Sequence, residues 1–163
     1  MSVRNCAELG VNLQYIMRRL LANQDLLKLL YYTDKDPLAN EDLTNEQIQN
    51  EVFEKLVKIV PRIGPKETAH SMITITVARG QGLTQNGEFR NIVIRVETFV
   101  PMTQWIIKET NLRPFAIMGE VQKSLDGKKI EGLGKMTGGD FALNFLSEEM
   151  TAYEQTFLIT AYD

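Results

Sequence analysis

The chain has 163 residues, 44% of them apolar and 24% charged, with a net charge of −3 and a pI near 5.3. That length supports one domain able to bury about 70% of its unfolded surface without a metal or disulfide. The acidic balance argues against a dedicated nucleic-acid binder while leaving room for a local basic patch. The single cysteine, Cys6, rules out an internal disulfide, and no apolar run approaches the ~20 residues of a membrane span. The first residues lack the apolar core of a signal peptide, so a cytosolic product, or one assembled there, is expected.

In chain order, Leu9, Leu13, Ile16 and Leu20 recur at helical spacing and predict a first amphipathic helix. Asn23 is a good N-cap for a second, carrying Leu26, Leu27, Leu29 and Leu30, with Asp25 near its positive end. Pro37 disfavours a helical Asp36 and ends it, leaving residues 33–43 as a polar, acidic loop. Thr44-Asn45-Glu46-Gln47 is a capping box opening a short helix through about Phe53. Leu56-Val57-Lys58-Ile59-Val60 reads as a short edge strand beside Pro61.

Ser71 to Val100 reads as a long β-hairpin. Ile73, Ile75 and Val77 alternate with Met72, Thr74 and Thr76, and Ile92, Ile94 and Val96 alternate with Arg95, Glu97 and Phe99. Period-two alternation predicts one buried face and one facing solvent. Between the arms lies a polar connection from Arg79 to Asn91, in which Asn86-Gly87 is the strongest turn signal. Trp105 and the Tyr31-Tyr32 pair suit either the monomer core or anchor positions in a subunit contact. Pro114 preorganises the first turn of a helix with Phe115, Met118, Val121 or Gln122, and Leu125 as its buried stripe and Gly127 at its end. The remainder predicts a second hairpin, Leu133–Asn144 and Thr151–Tyr162, in which Phe141, Leu143, Phe145 and Phe157 alternate as core residues do. The sum is an α+β fold: a mostly antiparallel β-sheet with N-terminal helices and one central helix packed on one face, in α-β-β-α-β-β order, as a single domain over 1–163.

Chemistry is sparse. One histidine and one cysteine cannot compose a zinc site from nitrogen and sulfur ligands, and His70, at the start of the first long strand, reads as a surface or strand-end residue rather than a catalytic base. Asp34-Lys35-Asp36 begins like a calcium loop, but Leu38 and Ala39 follow where ligands and a glycine are required. Gly132-Leu133-Gly134-Lys135-Met136-Thr137-Gly138-Gly139 lacks the spacing of a phosphate loop and fits a bulged strand better. No enzyme activity, cofactor or metal is expected. A compact sheet with long polar-tipped hairpins is the profile of a building block whose edges are paired by neighbours.

The order of elements carries a resemblance. An N-terminal helix precedes Asn23-Gln24-Asp25-Leu26-Leu27-Lys28-Leu29-Leu30-Tyr31-Tyr32. An acidic loop with Pro37, the Lys58-Ile59-Val60-Pro61 segment, the long hairpin, the Arg113–Leu125 helix and a final strand pair follow. This arrangement resembles the tail terminator, or tail-to-head joining, proteins of tailed bacteriophages. The resemblance implies a virion subunit that forms a hexameric ring on the last ring of tail-tube protein, stops tube elongation and meets a head-side connector or stopper protein. In contractile tails the sheath is a further contact. DNA would pass through the lumen without specific binding, and no membrane is involved. Contact candidates are the hairpin residues Arg79, Gln81, Gln85, Asn86, Glu88 and Arg90 and the loop residues Asp34 and Asp36. Another neck protein, a tail-tube subunit, or a small cytosolic enzyme or ligand-binding domain are the alternatives.

Overall fold

The structure, a computed structural model, describes residues 6–60, 70–82, 89–108 and 111–160. Helix α1 (Cys6–Leu21) ends where the Asn23 side chain accepts a hydrogen bond from the Leu26 amide at 3.1 Å and starts α2 (Gln24–Tyr31). The capping box forms in full: Thr44 Oγ1 accepts from the Gln47 amide, and Gln47 Oε1 from the Thr44 amide. It opens α3 (Asn45–Gln47), which widens into one π-helical turn, Ile48–Val52. Strand β1 (Val57–Lys58) follows, then β2 (Met72–Gly82) and β3 (Phe89–Pro101). A 3-10 turn, Met102–Gln104, leads to a small ladder of β4 (Ile106–Ile107) and β5 (Asn111–Leu112). Helix α4 (Arg113–Leu125), β6 (Lys129–Ile130), β7 (Gly134–Leu146) and β8 (Met150–Thr160) complete the described chain.

The sheet order is β1-β2-β3-β8-β7-β6. Every pairing is antiparallel except β1 with β2, so the sheet is mixed by one short edge strand. The α+β expectation holds, with the helices on one face. Ile73, Ile75, Ile92, Ile94, Val96, Phe157 and Ile159 point at that face and pack with the buried leucines of α1 and α2 and with Ile117, Val121 and Leu125 of α4. Ile117 takes the place expected of Phe115, which is partly exposed near the start of the helix.

Three expectations about side-chain burial need correction. The opposite face of the first hairpin is not a solvent face at its Met72 end. There Met72, Phe99, Met150 and Ala152 form a second apolar cluster with Phe145 against it. Glu97 is only 3% exposed and accepts a 2.8 Å hydrogen bond from Asn144 Nδ2. The reason is curl. Bulges between Gly138 and Asp140 and between Leu143 and Phe145 bend β7, and strong bending lets one end of a sheet cover its own outer face. The second bulge also breaks the alternation. Phe145 joins the outer cluster, whereas Phe141 and Leu143 stay on the helix side and are exposed. The glycine run supplies this geometry: Gly138 and Gly139 have φ of +130° and +112°, and a Cβ on Gly138 would sit 2.8 Å from the Thr156 carbonyl oxygen.

Candidate functional site

The candidate surfaces fall at opposite ends of the sheet. At one end the hairpin arms are more extensively paired than the sequence indicates. Gln81 pairs with Asn91 and Gly82 with Phe89, so Arg79–Gly82 and Phe89–Asn91 are strand rather than loop. Arg79 and Gln81 line a shallow hollow with Asn91, Val93 and Leu158, and Asn91 Nδ2 donates to Gln81 Oε1 at 3.1 Å. Arg90 is the extra residue of a bulge between Phe89 and Asn91 and is exposed. Gln85, Asn86 and Glu88 lie outside the described residues.

At the other end, the acidic loop is buttressed. The Asp34 carboxylate accepts from the Asp36 amide and from Asn40 Nδ2, both at 2.8 Å, which folds the loop on itself. Asp36 faces Lys108 Nζ at 3.4 Å, and the Lys108 amide donates to the Lys35 carbonyl at 2.7 Å. Lys28 meets Asp42 at 2.7 Å, and that hydrogen bond raises the lysine pKa above its ordinary 10.5. Tyr31 and Tyr32 belong to the monomer: their rings meet edge-on, Tyr31 donates to Glu51 and Tyr32 to the Glu41 carbonyl. The bond to Glu51, which raises the Tyr31 pKa, is matched by a stacked contact from His70.

Sequence reasoning missed the residue that fastens this end. Arg113 is fully buried. Its Nε donates to the Gln104 carbonyl at 2.9 Å, Nη1 to those of Leu29 and Tyr32 at 2.6 and 2.8 Å, and Nη2 to that of Asp34 at 2.6 Å. Burial lowers its pKa, the Asp34 charge opposing the shift. The guanidinium neutralises the negative end of α2 and satisfies carbonyls no helix bond can reach. One signal was present: a cation at the first position of α4 opposes that helix's own dipole, so another partner had to hold it.

The two ends stand far apart. Ile73 to Gln81 is eight residues of strand, roughly 27 Å at the usual rise. Asp34 and Asp36 therefore do not share a site with Arg79, Gln81 and Arg90.

A third surface emerges along β7. Beyond Gly138 this strand has no neighbour on its outer side among the described residues, because β6 pairs only with Gly134 and Lys135. Phe141, Leu143 and Leu146 on this stretch are 59%, 52% and 62% exposed. Phe141 extends an aromatic cluster with Phe115 and Tyr153, ring centroids 5.3–6.2 Å apart, and Trp105 stacks obliquely on Tyr153 at 6.3 Å. The described residues contain no group of three His, Cys, Asp or Glu side chains able to hold a metal ion.

Comparison with known proteins agrees with a phage setting. Residues 23–159, well over half of the chain, match the YomW family, and the chain belongs to it. This is a phage-associated family. No curated protein matches the chain.

Proposed function

We propose that this protein is a structural subunit of the phage neck that closes into a ring on the end of the tail tube, stops tube elongation and joins the tail to the head-side connector. The observation that carries this reading is the open apolar edge of β7. A strand whose outer edge has no partner among the described residues and which bears the exposed Phe141, Leu143 and Leu146 is an aggregation hazard unless another chain covers it.

A second copy suits that edge. Strands β2 and β7 run in opposite directions, since three antiparallel pairings separate them. A neighbouring copy held with the same up-and-down sense brings its β2 antiparallel to β7 and continues the ladder. Strand β2 is open for this from Val77 to Gly82 among the described residues, because β1 pairs only with Ile73 and Thr74 and the chain after β1 reaches Thr76, whose hydroxyl donates to the Val60 carbonyl. Such a contact is heterologous, and repeated by rotation it closes into a ring; the resemblance to tail terminators makes six the expected number. The hairpin end with Arg79, Gln81 and Arg90 and the loop end with Asp34 and Asp36 then become the two axial faces, one for the tube and one for the connector. The ring assembles in the host cytoplasm and stays in the virion.

Electron microscopy of tails assembled with and without the protein tests the reading. Capped tubes of uniform length are expected with it and overgrown tubes without it. Tubes of the same length in both preparations would exclude a terminator, and regular incorporation along the tube would indicate a tube subunit instead.

A further inference from the structure

A groove lined by several cations lies between the last turns of α1 and α4 and the start of β6. It encloses about 780 Å³ and is lined by Tyr15, Arg18, Arg19, Lys123, Lys128 and Lys129 among others. Five of the chain's eighteen Lys and Arg residues thus converge on one concavity of an acidic protein. Among its lining residues Glu131 is the one carboxylate. Glu120, close by, is engaged by Asn23 Nδ2 at 2.9 Å and by Lys123 at 3.7 Å.

Two helix C-termini meet at this groove, and their carbonyls would repel an anion if left bare. They are partly answered from within. Arg19 Nε donates to the Ser124 carbonyl at 2.8 Å, and Asn23 Nδ2 lies within 3.4 Å of the Glu120 carbonyl and 2.9 Å of Ser124 Oγ. Arg19 is consumed in that task, which leaves Arg18, Lys128 and Lys129 to face a ligand. Arg18 is already oriented: its guanidinium carbon stands 5.5 Å over the Tyr15 ring.

We propose that this groove binds single-stranded nucleic acid, with Lys128, Lys129 and Arg18 on successive phosphates and a base stacked on the Arg18–Tyr15 pair. A planar guanidinium fixed over an aromatic ring is a stacking platform for a base, whereas an acidic peptide has no use for it. The groove's volume admits a few nucleotides rather than a duplex. This proposal is independent of ring formation, since every lining residue belongs to one copy.

Fluorescence anisotropy with a labelled twenty-nucleotide single strand tests it, alongside the matching duplex and a poly-glutamate peptide as competitors. Three phosphate contacts on a single strand give a log–log salt slope of about −2, so affinity should fall roughly twentyfold between 50 and 200 mM KCl. Lys128→Glu/Lys129→Glu should weaken binding by about tenfold or more at constant salt, and Tyr15→Leu should weaken it with the salt slope unchanged. Lys35→Glu/Lys55→Glu, at the far end of the sheet, should weaken binding by less than half as much. Thermal melts of each variant establish that the fold is retained. No binding at 50 mM KCl, equal loss from the distant pair, or tighter binding of the duplex or the peptide would overturn the proposal.

Discussion

Removing the donors of Arg113 tests how the loop end of the molecule is held. Arg113→Met keeps much of the side-chain volume and abolishes all four hydrogen bonds. The bonds to the Leu29 and Gln104 carbonyls are buried, while those to Tyr32 and Asp34 are partly buried and water can replace them. Two buried acceptors left unpaired cost about 1–3 kcal/mol each. Relief of the guanidinium's own desolvation offsets part of that sum. A net loss of about 2–4 kcal/mol follows from these terms. With a urea m-value of about 2 kcal/mol/M for a chain of this size, the unfolding midpoint should drop by about 1–2 M at unchanged m. Arg113→Lys keeps the charge but cannot span four carbonyls with one ammonium, so its midpoint should fall between the two. A midpoint for Arg113→Met equal to that of the wild type would refute the view that this guanidinium fastens α2, the acidic loop and α4 together.

Two further outcomes follow from local geometry. Gly138→Ala puts a Cβ 2.8 Å from the Thr156 carbonyl oxygen at a φ of +130°, and strain of this kind costs about 1–3 kcal/mol. Its melting temperature should fall by several degrees, whereas Gly119→Ala, an exposed helical position with nothing within 4 Å, should raise it. Lys28 titrates above its ordinary 10.5 in the folded state because Asp42 accepts its hydrogen bond. Its contribution is therefore complete below pH 10.5 and is lost as pH rises through the raised folded value. The difference in urea midpoint between the wild type and Lys28→Met should be constant near neutrality and shrink above that point.

Much of the fold is legible in the residues. The Asn23 cap, the Thr44 capping box and the Pro114 helix start are local signals and form as read, and both hairpins form, the first with arms that pair beyond Arg79 and Asn91. Burial on the outer face was not legible. Period-two alternation tells which residues share a face, but it does not tell whether a sheet curls far enough to cover that face. Glu97 and Thr74 are buried for this reason. Phe141 and Leu143 keep the helix-side face but lie on the stretch of β7 beyond β6, where they are exposed, and the bulge between Leu143 and Phe145 moves Phe145 to the outer face; only the neighbouring glycine pair hints at irregularity. Of the contact residues, Arg79, Gln81 and Arg90 do project from the hairpin, whereas the Asp34 carboxylate serves its own loop and Asp36 lies beside Lys108. Arg113 is legible only as a cation at the unfavourable end of α4, because its acceptors are backbone carbonyls from distant segments, which leave no mark on the sequence.

Native mass spectrometry of the protein mixed with purified tail tubes, compared with Phe141→Lys/Leu143→Lys, tests most directly whether the β7 edge joins copies. Both positions are more than half exposed in the monomer, so the cost to its stability should be limited to the ring contacts of Phe141 with Phe115 and Tyr153, about 0.5–1.5 kcal/mol per pair. The expected result is a closed ring of six for the wild type and monomer for the double variant. A ring that forms equally well with lysines at both positions, or a wild-type protein that stays monomeric on tubes, would contradict it.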